Sequence, residues 1–327
     1  MISSIRLSNT APASSIQKHM DVAVIVRGVH ERTEALCESL VAAQVPPDRI
    51  TVIHEYPFSA ALRRGFEIGL DYALAWTMCV DADVLIRPTA VSDLLVAAST
   101  AGDMLFFLQG RILDKFIGGA WDGGPRIYRT SLLKTACREI PPEGKSLRPE
   151  TYVHRQMETK GYRVIQLQTI TGLHDYEQYY CDLLRKMIFR AHKSSSMVPY
   201  LLECCQANQA MDPDFRVANW GLLIGLTINS SFGDLDARTW QSQTNEILCG
   251  HGIQEKGPLA VKEYASYVES TIKEYVPSES YKAFVETFFS KTRMELPARP
   301  YTFKYIPWLT GKALGRIGRF LVEWATK

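Results

Sequence analysis

Trp76-Thr77-Met78-Cys79-Val80-Asp81-Ala82-Asp83 is the stretch on which the fold turns. Five residues of apolar or strand-favouring type run straight into two carboxylates. A continuous apolar run of this length reads as a strand buried on both faces. Side chains two apart on an extended chain project the same way, so Asp81 and Asp83 are expected to point together from its carboxyl end. In open α/β sheets that end is where ligands bind. Like charges this close repel unless a cation intervenes, and Mg²⁺ or Mn²⁺ held by carboxylates and a diphosphate would resolve the conflict. The bland alternative is a solvated turn after a strand.

Upstream, Val22–Val26 is a second apolar run and Ile50–Ile53 a third. Between and after them, Thr33–Ala43 and Ser59–Ala73 carry helical spacing, Leu62, Phe66 and Leu70 lying four apart. Downstream, Pro88-Thr89 opens a helix and Met104–Leu108 is a strand. After Gly110 the order loosens, Phe116–Gly124 holding four glycines; Arg126–Arg129 then reads as a strand, and Ser131 starts a helix. Pro149–Gly161 is a helix, Tyr162–Leu167 a strand, Thr169–His174 a loop and Asp175–His192 a long helix. Strands alternating with helices predict an α/β fold with a mainly parallel sheet flanked by helices. The remainder to about Ala298 reads as helical, giving a helical C-terminal extension. The expected organisation is a lead-in over 1–20, an α/β domain over 21–195, a helical extension over 196–300 and a basic amphipathic helix over 301–327.

Composition narrows the classes. The 327 residues carry 37 basic and 35 acidic side chains, a net charge of +2, with 46% apolar and 22% charged residues. Such values are ordinary for a globular protein and exclude disordered, collagen-like and coiled-coil chains. The charge is too balanced for a surface that binds nucleic acid throughout, so anion recognition is expected to be local. Seven cysteines without a C-x-x-C pair fit a reducing cytoplasm. Met1–Met20 lacks the apolar core of a secretory signal, and Gly221–Gly233 falls short of the ~20 residues of a membrane span. Arg27-Gly28-Val29-His30 after the first strand is not G-x-G-x-x-G, which argues against a nicotinamide or flavin site. Gly144-Lys145-Ser146 lacks the P-loop glycine, having Glu139 in its place.

In this order the features resemble the GT-A glycosyltransferases, the family-2-like group, over about Asp21 to His192. Ser59-Ala60-Ala61-Leu62-Arg63-Arg64-Gly65 resembles that family's small-residue helix, and Asp81-Ala82-Asp83 its D-x-D metal motif. Gly123-Gly124-Pro125-Arg126 resembles the segment lining donor sugar and acceptor. Pro149-Glu150-Thr151 resembles the acidic motif that holds the catalytic base in inverting members. The resemblance implies a GT-A-like (Rossmann-like) fold and a nucleotide-sugar donor. It implies Mn²⁺ or Mg²⁺ on Asp81, Asp83 and His174, and Glu150 as the base. Arg27, Glu55, Arg63, Arg64 and Ala82 would lie around the nucleotide, and Gly123, Gly124, Pro125 and Arg126 around sugar and acceptor. The chain departs from the family at Arg27-Gly28-Val29-His30 and at His54-Glu55, which alters the base pocket, and at Thr151 in the acidic motif.

The function expected is metal-dependent, inverting sugar transfer to a hydroxyl of a glycan or lipid-linked glycan, in bacterial surface-glycan assembly. A nucleotidyltransferase that makes nucleotide sugars and a non-catalytic binding protein of the same fold stay open as rivals. Lys304–Lys327 carries five basic residues and one acidic one beside Trp308 and Trp324. It reads as a helix that lies on the inner face of the cytoplasmic membrane or packs on protein, including a second copy of the chain.

Overall fold

The computed structural model describes residues 21–228, 237–259 and 263–294. The chain divides into two compact units, residues 1–282 and residues 283–327, so residue 195 lies inside the first. The expected segment 301–327 lies outside the described residues, as does the lead-in 1–20.

The first unit is built on a seven-stranded sheet in the order β2-β1-β3-β6-β5-β7-β4. These are β1 Val22–Arg27, β2 Ile50–Ile53, β3 Trp76–Asp81, β4 Val84–Ile86, β5 Leu105–Asp114, β6 Gly119–Arg129 and β7 Arg163–His174. β1 pairs parallel with β2 and β3, and β5 with β7, while β6 and β4 pair antiparallel with their neighbours. Five strands therefore run one way and two the other: an α/β sheet of mainly common direction, as expected, with reversed β6 and β4 making it mixed.

β1 alternates between two cores. Val22, Val24 and Val26 face one apolar cluster, with Leu40, Val41, Val91 and Leu94 of α1 (Glu34–Ala42) and α3 (Ala90–Thr100). Ile25 faces the other, with Leu62 and Phe66 of α2 (Phe58–Tyr72) and Val153 and Met157. The period-two alternation of an all-apolar strand means helices cover both faces. Short α4 (Leu133–Arg138) and α5 (Pro149–Thr159) complete the second face. The helical part that follows is α6 (Tyr180–Lys193), α7 (Val198–Asn208), α8 (Pro213–Thr227), α9 (Ala237–Gly250) and α10 (Tyr264–Glu274); α11 is Glu279–Met294.

The sheet has to curl. Asp81 ends β3 and Val84 begins β4, yet these strands stand four places apart in the sheet. Four spacings of about 4.8 Å come to about 19 Å, whereas three Cα steps of about 3.8 Å reach about 11 Å at most. The bend lies in β5, β6 and β7. Between the pairs Gln109↔Arg126 and Arg111↔Asp122, Gly110 alone faces Gly123, Gly124 and Pro125. Between Gln109↔Gln166 and Arg111↔Ile170, it faces Leu167, Gln168 and Thr169. One residue opposite three on each side is a bulge, which bends and twists a strand. A Cβ on Gly110 would lie 2.9 Å from the Thr169 carbonyl oxygen, and Gly124 has φ +89° with Ile112 Cγ2 2.4 Å from such a Cβ.

Two expectations are corrected here. The order expected to loosen after Gly110 does not: β5 runs on to Asp114, and after a turn Gly119–Gly124 belong to β6 in a hairpin with β5. Thr169–His174 is not a loop either: β7 runs past its bulge to His174, paired with β4 and β5. Both were obscured because the bulges interrupt apolar alternation.

Candidate functional site

β1 and β3 end in register, Arg27 beside Asp81. The Arg27 guanidinium meets Asp81 Oδ1 through Nε at 2.9 Å and Nη2 at 2.8 Å. From β6, Arg126 Nη1 donates to Asp81 Oδ2 at 2.7 Å. Arg126 and Tyr128 are two apart on β6 and share a face, over which α5 lays Glu150. Pro149 at the first turn of α5 needs no N–H partner and starts that helix. Glu150 receives Tyr128 Oη at 2.6 Å and Arg27 Nη1 at 3.1 Å on Oε1, and Arg126 Nε at 2.9 Å on Oε2. Two arginines and two carboxylates thus close a ring.

Glu150 is 8% exposed. Burial alone would raise its carboxyl pKa, but Arg126 and Arg27 outweigh burial and hold it well below the ordinary range. Burial likewise opposes, and the same arginines likewise depress, Asp81. Burial, reinforced by Glu150, pushes the Tyr128 phenol up, so it stays a donor. His154, its Nε2 3.4 Å from Tyr128 Oη, is lowered to about 4 by burial and is neutral at physiological pH. Glu150, the expected base, thus has both carboxylate oxygens engaged, Oε1 by Tyr128 and Arg27 and Oε2 by Arg126.

A second cluster gathers below the curl. β3 stops at Asp81, and Ala82-Asp83 is a turn, so alternation ends before Asp83. Asp83 turns to His174, the last residue of β7, with Oδ2 3.5 Å from Nε2. His174 Nδ1 lies 3.0 Å from Oδ2 of buried Asp114 and 3.4 Å from Asp175 Oδ2. Asp114 Oδ1 accepts from the backbone of Phe116 and Ile117 in the β5–β6 turn, so it is fixed. From α6, Lys186 contacts Asp83 and lies 2.7 Å from Asp175 Oδ1, and one turn on Arg190 donates to Asp114 Oδ2 at 2.9 Å. Burial lowers the pKa of His174, but Asp175, Asp83 and Asp114 outweigh it and raise it to about 10. Lys186 is raised too, its acidic partners outweighing burial.

Asp83, His174 and Asp175 bring one ligand atom each within 4.8 Å of one another, a carboxylate and histidine set that could hold a divalent ion. Two features fit. Asp83 Oδ1 is buried with no hydrogen-bond partner. The contact of His174 Nδ1 with Asp114 turns Nε2 to Asp83, the carboxylate–histidine arrangement seen behind metal ligands. Asp81 is not of this set, because the arginines claim both its oxygens; Asp175 takes its place. Among the described residues a second set, His30, Glu34 and His54, gathers at the ends of β1 and β2. There the two rings stack at 4.1 Å and His54 Nε2 meets Glu34 Oε1 at 2.9 Å.

The other expected residues divide. Arg126 and Arg27 reach the ring. Ala82 is wholly buried, its N–H given to Arg27 O and its carbonyl taken by Thr33 Oγ1, so it offers no surface to a nucleotide. Gly123, Gly124 and Pro125 are buried in the β6 bulge, just before Arg126. Arg63 donates to the Cys137 carbonyl, and Arg64 lines a groove with Thr51, Asp71 and Tyr72; neither joins the clusters. Glu55 is exposed just past β2. Asp114, Asp175, Lys186, Arg190 and Tyr128 were not singled out as site residues. Only the four-residue spacing of Lys186 and Arg190 hinted at a shared helix face.

No protein-family model and no curated protein sequence matches the chain. Among solved structures it is similar to the mannosyltransferase PcManGT from Pyrobaculum calidifontis in complex with GDP-Man and Mn²⁺. That match has 12% identity and a TM-score of 0.37, covering 81% of this chain and 83% of that one. A glycosyltransferase involved in glycosylation of the major capsid of PBCV-1 has 11% identity and a TM-score of 0.33, over 47% of this chain and 93% of that one. CMP:2-keto-3-deoxy-manno-octonic acid synthetase complexed with CTP has 11% identity and a TM-score of 0.32, over 46% and 91%. Likenesses this distant leave the chemistry of this chain to its own residues.

Proposed function

We propose that the chain transfers a sugar from a nucleotide-linked donor, with the donor's diphosphate seated at the Asp83–His174–Asp175 cluster. The observation that carries this reading is the unpartnered, buried Asp83 Oδ1 beside His174 and Asp175 at the ends of β3 and β7. These three residues would hold Mn²⁺ or Mg²⁺, and such an ion would supply positive charge to the leaving diphosphate. Lys186 and Arg190 give the cluster its own cationic side. Asp81, whose side chain is 27% exposed, is the open edge of the arginine ring and accepts hydroxyls of the donor. Glu150, which accepts from Tyr128 Oη, holds Arg126 and Arg27 in place and acts as a positioning residue. The acceptor is a hydroxyl of a glycan or lipid-linked glycan.

Among the described residues no helix is long and apolar enough to cross a membrane. A peripheral contact through the basic segment 301–327 is part of the proposal, resting on sequence alone. The test is a thermal-shift panel of nucleoside diphosphates and nucleotide sugars with and without Mn²⁺. Ligand at ~100 times Kd stabilises by about 2.7 kcal/mol. Stabilisation by a nucleotide sugar that grows with Mn²⁺ supports the reading; no response to any nucleotide at saturating concentrations overturns it.

A further inference from the structure

Lys186 stands among the carboxylate oxygens that a divalent ion would draw on. Its ammonium touches Asp83 Oδ2 and lies 2.7 Å from Asp175 Oδ1, bridging the two carboxylates of the candidate ligand set. Asp83 Oδ2 is also the oxygen that His174 Nε2 approaches at 3.5 Å. An ion drawn to Asp83, His174 and Asp175 therefore meets a positive charge already on its ligands, and both cannot stay in contact with the same oxygens.

The two cations that α6 sends into the cluster differ in freedom. Arg190 is tied by Asp114 at 2.9 Å, with Asp175 3.8 Å from its other amine. Asp114 is itself pinned by two backbone N–H groups, so Arg190 has nowhere to go. Lys186 carries its charge on a flexible four-carbon stem with three rotatable donors. Its side chain is 21% exposed, against 15% for Arg190 and 2% for Asp114 and Asp175.

We propose that Lys186 is an exchangeable counter-ion: it neutralises Asp83 and Asp175 until a divalent ion takes them, and then turns its ammonium to the phosphate of the incoming nucleotide. This rests on the metal-binding reading above. The exchange keeps buried carboxylates paired in both states, which matters because an uncompensated buried charge is strongly destabilising. It also predicts opposite effects on two ligands, which a purely structural lysine would not produce.

The test is isothermal titration of the full chain with Mn²⁺ alone, and with UDP, GDP and CDP at saturating Mn²⁺, for wild type, Lys186→Met and Lys186→Arg. Lys186→Met is expected to bind Mn²⁺ at least tenfold more tightly and the preferred nucleoside diphosphate at least tenfold more weakly. Lys186→Arg, which restores the charge, is expected to move both back towards wild type. Should Lys186→Met be too unstable to titrate, Mn²⁺ must raise its melting temperature more than that of wild type. Unchanged Mn²⁺ affinity in Lys186→Met, or loss of both affinities together, overturns the exchange while leaving the metal site standing. Failure of every variant to bind Mn²⁺ overturns the metal reading, and the exchange with it.

Discussion

Asp81 and Asp83 are separated by one residue and belong to different charge clusters. Asp81 gives its oxygens to Arg27 and Arg126, at 2.8 and 2.7 Å. Asp83 gives Oδ2 to Lys186 and His174 and leaves Oδ1 buried and unpartnered. The strand ends between them, and the turn that follows sends the second carboxylate to the far edge of the curled sheet. The first cluster is a ring of paired charges; the second keeps one buried carboxylate oxygen, Asp83 Oδ1, without a partner.

The framework is testable at Glu150. Glu150→Gln removes the charge shared by Arg27 and Arg126 while keeping shape. Breaking a buried pair typically costs ~3–5 kcal/mol; because Asp81 still faces both arginines, a loss of ~2–3 kcal/mol in urea unfolding is expected. A variant of unchanged stability that loses turnover by ~10²–10⁴ would restore Glu150 as the base.

Much of this framework was legible in the sequence, and the reason it was incomplete is physical. β1, β2 and β3 are uninterrupted apolar runs, so their ends, Arg27 and Asp81, followed directly. Asp175 and Lys186 were hidden because β7 carries a three-residue bulge before its last segment, which disguises the strand that delivers His174. Tyr128 and Glu150 are 22 residues apart, and nothing local signals that a helix lays one over the other.

The bend is testable at Gly124. With φ +89° and Ile112 in contact range, Gly124→Ala brings both backbone strain and a clash. A loss of ~2–3 kcal/mol is expected, summed from left-handed strain of ~1 kcal/mol and overpacking of ~1–2 kcal/mol. Gly102→Ala, at φ +81° with no neighbour within 4 Å, should lose only the strain part. Equal losses at the two positions in chemical denaturation would contradict the tight bulge.

Stability should depend on pH through Glu31, whose carboxylate accepts from Val29 N–H at 2.6 Å. Burial raises its pKa to about 7, with Asp83 adding to the rise and Lys186 opposing it. The folded chain therefore holds a proton that the unfolded chain releases near pH 4.5. Its contribution is full below that pH and is lost as pH rises to about 7. Glu31→Gln should raise the melting temperature at pH 8, by roughly 1–3 kcal/mol of stability, and leave it nearly unchanged at pH 4. An equal shift at both pH values would show that Glu31 is charged throughout.

The segment beyond residue 300 is tested by sedimentation with anionic liposomes. Each basic residue near such a surface is worth about 1 kcal/mol. The full chain should sediment and a chain ending at Pro300 should not, with high salt weakening the effect. Equal sedimentation of both chains would place any membrane contact elsewhere.

The central claim is that Asp83, and not Asp81, anchors the ion that meets the donor's diphosphate. Calorimetric titration of Mn²⁺ into Asp83→Asn and Asp81→Asn, each shown folded by circular dichroism, separates the two directly. The account expects Asp83→Asn to lose Mn²⁺ binding by at least ~30-fold, about 2 kcal/mol, and Asp81→Asn to stay within a few-fold of wild type. Retained Mn²⁺ affinity in Asp83→Asn, or a larger loss in Asp81→Asn, would contradict it.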